Sequence, residues 1–310
     1  MTAPTFADYA AFLPETRARR VDKPEETWWY WGDNDVQVAR RANPDAQIRL
    51  LLIHGAGGHS GALWPLVAQL DKNSVDIAAV DLPLFGRTVS ADPSAIRYET
   101  WIEMLKDFIA AEDDGRPLVI FGASIGGLLA FEVAALTANT NRISAVVTTC
   151  LLDPRDSAVL AKLTRFGWFA SLVKPFLPLV RGRLARMMVR MPLVAKLNKM
   201  SLNPDLSDLC ARDSRGGGAN VPVGFFASFM QYRHRAHTIT TAPLTVLHPE
   251  RDDWTPARLT KRYLEKVERD SSTEVKVTLL PECGHFPIEE PGVTMLVDSL
   301  EAILRSTKMK

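Results

Sequence analysis

Three residue types able to do nucleophilic and acid–base chemistry stand at spacings that suit one reaction. Ser124 lies in "FGASIGG", where Gly122, Ser124 and Gly126 make G-x-S-x-G between the apolar run Pro117–Gly122 and a second apolar run. A tight strand-to-helix turn with small neighbours would lift that hydroxyl out of the core and aim a helix N-terminus at it. Serine at its own pKa is a weak nucleophile and needs a base. His285, in "PECGHFPIEEP", stands in the loop after the last expected strand. The base in turn needs a carboxylate to fix its tautomer and steady its charged form. "LHPERDDWTP" offers Asp252 and Asp253, and the residues alone leave both open. "LLIHGAGGHSGALW" places a glycine-rich loop straight after a strand, so the N–H of Ala56 (or Gly57) and that of Ile125 can face one developing oxyanion. Each such donor is worth about 3 kcal/mol in the transition state. The chemistry these parts would perform is acyl transfer through a covalent intermediate.

Such groups must be brought to one place by the elements between them. Short apolar runs recur at Arg49–His54, Val75–Asp81, Pro117–Gly122, Arg142–Thr149, Pro243–His248 and Val275–Leu280. Their continuous apolarity suits strands covered on both faces, as in a parallel sheet. Helical patterns such as Tyr98–Ala111 and Pro256–Arg269 lie between them, so the expected class is α/β with a mostly parallel sheet. "TWWYW" and "DVQVARR" suggest a leading antiparallel pair. The alternation stops after Cys150 and resumes near Ala242, and this stretch is expected to be a mainly helical insertion punctuated by Pro175, Pro178, Pro192 and Pro204. The expected division is a core of residues 1–149 and 243–310, with a cap or lid of residues 150–242 inserted between two strands.

The totals narrow the function classes. Lys and Arg number 37 against 36 Asp and Glu, a net charge of +1 that does not suit a nucleic-acid binder. Three scattered cysteines, Cys150, Cys210 and Cys283, suggest neither a disulfide framework nor a zinc site. The N-terminus has no long apolar run, and no segment is apolar for long enough to span a bilayer, so the expectation is a soluble cytoplasmic protein. Gly55, Gly57 and Gly58 lack the G-K-[ST] and G-x-G-x-x-G contexts that bind phosphates. His234 and His237 lack partners at metal-ligand spacing, and no metal or organic cofactor is expected. His54 and His248 are expected to hold backbone, and Cys283 to be a packed thiol. Gly57, His59 and Trp254 are candidate pocket residues.

One charge asymmetry remains. Residues 161–200 contain nine Lys and Arg and no acidic residue, which leaves −8 on the rest of the chain. Val180, Leu184, Met187, Met188 and Met191 would share one face of a helix there. Such a helix would ordinarily turn its apolar side to the core and solvate its arginines. With Phe166, Trp168, Phe169 and Phe176 nearby, it could instead touch an anionic membrane or admit a lipid-like ester.

Taken together, "HGAGG", "DLPLFGRT", "GASIGG", "ERDDWTP" and "GHFPIEEP" resemble, in order, the motifs of the α/β-hydrolase fold superfamily, in its serine esterase and lipase-like branch. The resemblance runs from Ile48 to the C-terminus, and the insertion is matched only by position. It implies an α/β-hydrolase fold and a triad of Ser124, Asp252 and His285. Asp252 is favoured because the family's acid usually stands four residues before a proline, here Pro256. Relatives commonly carry glycine where Leu84 stands, and serine at the elbow argues against the haloalkane dehalogenase and epoxide hydrolase branches. The implied activity is hydrolysis of carboxylic esters with an apolar acyl or alcohol part. Alternatives on the same fold are a serine aminopeptidase, an acyltransferase and a ligand-binding receptor-like protein with a slow triad. A peptidase would need a cap carboxylate for the substrate amine, and Asp205, Asp208 and Asp213 are the candidates.

Overall fold

The apolar runs become strands of one mixed, mostly parallel sheet, five of them inner. The computed structural model describes residues 3–165, 167 and 174–308. Its strands are β1 (Glu25–Trp31), β2 (Asn34–Arg41), β3 (Arg49–Ile53), β4 (Asp76–Val80), β5 (Val89–Ser90), β6 (Leu118–Gly122), β7 (Ile143–Thr148), β8 (Met188–Arg190), β9 (Asn220–Pro222), β10 (Leu244–Pro249) and β11 (Val275–Leu280). The sheet order is β1-β2-β4-β3-β6-β7-β10-β11, with β5 paired to β2. Strands β1 and β2 form the expected antiparallel pair, β2 also runs antiparallel to β4, and the pairings from β4 through β11 are parallel.

Every residue of β3 and β6 is buried, as strands covered on both faces require. Burying each of their large apolar side chains contributes about 1.5–3 kcal/mol. The helices flanking the sheet are α1 (Phe6–Ala10), α2 (Glu15–Ala18), α3 (Ser60–Val67), α4 (Tyr98–Ala111) and α5 (Ile125–Leu136), then, after β10, α11 (Ala257–Asp270) and α12 (Gly292–Lys308). Strand β11 departs from the continuous-run expectation. It is an edge strand, its apolarity alternates, and Val277 and Leu279 face outward. Register decides where the site can form. Ile53 pairs with Gly122, Gly122 with Thr148, and Thr148 with Val246. The carboxyl ends of β3, β6, β7 and β10 therefore line up, and their loops emerge on one edge, where open α/β sheets bind ligands.

Between β7 and β10 lie α6 (Ser157–Leu163), a 3₁₀ turn (Lys174–Leu179), α7 (Gly182–Ala185), α8 (Met191–Val194), α9 (Pro204–Arg212) and α10 (Val223–Gln231), with β8 and β9 paired as an antiparallel ribbon. The amphipathic helix expected across Val180–Met191 is not there. Helix α7 is a single turn, and Met188–Arg190 pairs with Asn220–Pro222 instead. A run this short between Pro178 and Pro192 has no length to repay helix nucleation, so ribbon pairing prevails. As a result Leu184, Met187 and Met188 are exposed, and only Met191 of that set turns inward to full burial. Phe166, Trp168 and Phe169 lie outside the described residues. Among the described residues no helix is long and apolar enough to cross a membrane.

Candidate active site

Ser124 sits between β6 and α5 with φ 55° and ψ −125°. This is a left-handed backbone conformation that a residue with a side chain adopts only under constraint, at a cost of about 1–3 kcal/mol. The constraint is the closeness of the surrounding backbone. A Cβ on Gly126 would lie 2.3 Å from the Ile53 carbonyl oxygen, so β3, the turn and α5 can meet only over a glycine. The Ser124 N–H donates to Thr149 Oγ1 at 2.9 Å, tying the turn to the end of β7.

His285 and Asp252 meet at the same edge. The His285 Nδ1–H donates to Asp252 Oδ2 at 2.7 Å. The other carboxylate oxygen, Oδ1, accepts the N–H groups of Trp254 at 2.9 Å and Thr255 at 2.8 Å, and the Thr255 hydroxyl donates to Oδ2. Burial pushes the Asp252 carboxyl upward and is the largest single influence on it. The charge of the His285 imidazole, its hydrogen bond and the Thr255 donors together outweigh that and hold the group well below the usual carboxylate range. Asp253 is exposed and has no part in this arrangement. Trp254 lies edge-on to the imidazole at 4.8 Å, and its indole N–H reaches the Leu163 carbonyl of α6 at 3.4 Å.

Ser124 and His285 line one cleft together with Gly55, Ala56, Gly57 and Trp254. Its walls are otherwise mostly apolar, with Leu63, Leu66, Met200 and Phe286 among them. It offers about 50 Å³, room for only a few waters. Among the described residues the serine hydroxyl makes no hydrogen bond to the imidazole, and Nε2 is the ring atom left for it because Nδ1 is taken by Asp252. Catalytic hydrogen bonds are often long without substrate. The N–H groups of Ala56, Gly57 and Ile125 have no protein acceptor among the described residues. A larger cavity of about 640 Å³ lies at the opposite, amino-terminal edge of β6, β7 and β10, where Pro117, Ile143 and Thr241 line it, remote from all these groups.

Four of the remaining histidines hold structure. His54 donates from Nδ1 to the Gly55 carbonyl at 2.7 Å and accepts the Leu82 N–H on Nε2 at 2.9 Å. Burial lowers its pKa to about 4, which keeps the ring neutral and Nε2 free to accept. His248 bonds the Pro249 carbonyl, and His234 accepts from the Tyr98 hydroxyl. Cys283 is buried, with its thiol pushed up to about 12 by that burial, and donates to the Glu289 carbonyl. His59 does not line the cleft. It is buried and its Nε2–H donates to Asp213 Oδ2 at 2.7 Å. Sequence reasoning missed Thr149, Thr255 and Tyr9. Thr255 had a signal, since aspartate commonly accepts N–H groups two and three residues on; Thr149 and Tyr9 had none.

Leu84 has φ 84°, in the left-handed region that favours glycine. Leucine therefore occupies a strained turn at the place where a glycine was expected from the resemblance.

The sequence and the sheet have a match among known families. A profile of the alpha/beta hydrolase family fits residues 50–295, and the chain belongs to that family. No curated protein matches it by sequence. Among solved structures, a soluble variant of monoglyceride lipase from Saccharomyces cerevisiae, in complex with a substrate analog, superposes with a TM-score of 0.73 at 17% identity, over 92% of this chain and 96% of that one. A monoacylglycerol lipase from Paleococcus ferrophilus gives 0.66 at 18% identity, over 88% and 99%. A highly thermostable carboxyl esterase from Bacillus coagulans, in complex with glycerol, gives 0.67 at 14% identity, over 92% and 98%. At these identities the likeness is one of fold.

Proposed function

We propose that this chain is a serine hydrolase acting on carboxylic esters with an apolar acyl or alcohol part. The observation that carries the reading is a single cleft lined by both Ser124, on its strained turn, and His285, whose far nitrogen is held by a buried carboxylate. In the proposed mechanism Ser124 Oγ attacks the ester carbonyl while His285 Nε2 takes its proton. The N–H groups of Ala56 and Ile125 hold the oxyanion. The intermediate collapses as His285 passes the proton to the leaving alcohol, and the acyl-enzyme remains. Water, deprotonated by His285, then releases the acid and restores Ser124. Asp252 keeps the imidazole in one tautomer throughout. The lipase and esterase neighbours agree with this reading.

Residues 150–242 are proposed to form a cap, and Met200 and Cys210 carry it into the cleft wall. The peptidase alternative lacks its anchor. Asp213 is occupied by His59 and Tyr9, while Asp205 and Asp208 are exposed away from the cleft. A panel of nitrophenyl esters graded by acyl length and head-group charge tests the proposal. Sustained turnover that rises with acyl length is expected. Release of one equivalent and no more would indicate a receptor with a slow triad, faster cleavage of aminoacyl arylamides a peptidase, and preferential transfer to an added alcohol or thiol an acyltransferase.

A second reading, peripheral contact with anionic membrane through residues 161–200, is favoured by what the failed helix leaves outside. Leu184, Met187 and Met188 are exposed, and so, flanking them in sequence, are Phe176, Leu179 and Leu193 by 62%, 69% and 63%, in a stretch whose charged residues are all basic. Apolar groups set in a basic surface suit the boundary of an anionic bilayer. The protein is expected to sediment with vesicles containing phosphatidylserine more than with neutral ones, and less so at high salt. Equal partitioning to both would remove this reading.

A further inference from the structure

We propose that Tyr9, His59 and Asp213 form a clasp that positions the loop carrying the Ala56 N–H. The proposal rests on Ser124 being the nucleophile that this loop serves. Asp213, at the C-terminal end of α9, has no exposed surface. A carboxylate so placed is costly unless its lone pairs are met. They are met from two distant parts of the chain and from its own turn. Oδ2 accepts the Tyr9 hydroxyl at 2.6 Å and the His59 Nε2–H at 2.7 Å, and Oδ1 accepts the Arg215 N–H at 2.9 Å. Burial raises the Asp213 carboxyl, and the His59 hydrogen bond and charge, with the Tyr9 and Arg215 donors, more than reverse it.

The place of His59 gives the clasp its use. It is the residue before α3, and its side chain makes no capping bond. That service comes from Asp81 Oδ1, which accepts the Ser60 N–H at 2.6 Å. His59 is therefore free to anchor the downstream end of the Gly55–Gly58 loop, as His54 anchors the upstream end through Gly55 and Leu82. Ala56 lies between two fixed imidazoles. The turn that follows Asp213 closes the loop's outer face. Its Gly216 N–H and Gly218 N–H donate to the Asp213 carbonyl, and a Cβ on Gly216 would stand 2.8 Å from the Gly57 carbonyl oxygen. Tyr9 also stacks on Phe286, the neighbour of His285, with ring centres 6.4 Å apart. One hydroxyl-bearing ring thus touches both the oxyanion loop's anchor and the base's loop. An oxyanion donor works only within a few tenths of an ångström of its place, and displacement by 1 Å costs about 10²-fold.

The test uses the full chain and a soluble nitrophenyl ester, with an alkyl trifluoromethyl ketone as second probe. That ketone adds Ser124 Oγ and presents an oxyanion to the loop. His59→Leu and Tyr9→Phe should lower kcat by at least fivefold, with His59→Leu near 10²-fold, while KM stays within threefold. Affinity for the ketone should fall by the same factor as kcat. His59→Gln, which keeps an N–H for Asp213, should recover at least tenfold over His59→Leu. Should His59→Leu fail to fold, Tyr9→Phe, which removes one oxygen, decides alone. If turnover is lost in Ser124→Ala but folded clasp variants keep kcat within fivefold, or lose it with ketone affinity intact, the clasp is overturned and the nucleophile stands. If turnover survives Ser124→Ala, both fall.

Discussion

Ser124→Ala is expected to lower kcat on an activated ester by about 10⁴–10⁶-fold while the melting temperature changes little. The loss follows from chemistry, because no acyl-enzyme forms without the hydroxyl. What remains is what the oxyanion donors and the cleft achieve with water alone. The fold should tolerate the change because Ser124 Oγ makes no hydrogen bond among the described residues, and the turn is held by backbone and by Thr149. Steady-state rates and thermal melts on one preparation check both halves. A folded variant with most of its turnover would show that another group attacks the ester.

Asp252→Asn is expected to cost about 10⁴-fold in kcat, and Asp253→Asn less than about threefold, the scale of an exposed surface change. An amide at residue 252 can still take the Trp254 and Thr255 N–H groups. Facing Nδ1, however, it offers a donor where the imidazole needs an acceptor, and the ring is then held in the wrong tautomer. The carboxyl of Asp252 is already depressed below the usual range, so it stays ionised on the acid side of neutrality. A fall of kcat/KM toward mild acid would therefore not come from loss of the Asp252 carboxylate charge. Equal losses from the two substitutions, or a larger one at residue 253, would reassign the acid.

Most of the sheet was legible because its strands are continuous apolar runs closed by turn residues, and because "GASIGG" needs small side chains for a reason local to the turn. Asp252 and Asp253 could not be separated by local chemistry. The proline spacing in the resembling family pointed to Asp252, and in the structure only Asp252 meets His285. The stretch from Val180 to Met191 misled because its spacing fits a helix, while the decision was made by a strand thirty or more residues beyond its partners in β8, Asn220–Pro222. Nothing in the chain near Tyr9 or His59 announces Asp213. Their bonds span 204 and 154 residues. The arginine and glycines of "RGGGAN" form a tight turn seated on the Gly55–Gly58 loop, a contact that nothing in their local sequence announces. Leu84 was legible only as a departure from pattern, and its positive φ shows why glycine would be the easier residue there.

The resting cleft is smaller than any ester it is proposed to take. With about 50 Å³ available, against the 300 Å³ or more that a typical small-molecule site offers, a substrate must wedge its way in. Met200, Trp254 and Phe286 are among the groups that line the cleft, and some of a ligand's own adhesion would be consumed in widening it. A longer alkyl tail brings more adhesion to that task than a short one. A preference for long chains would then need no slot cut to their length; it would follow from a door that only a greasy key can push open.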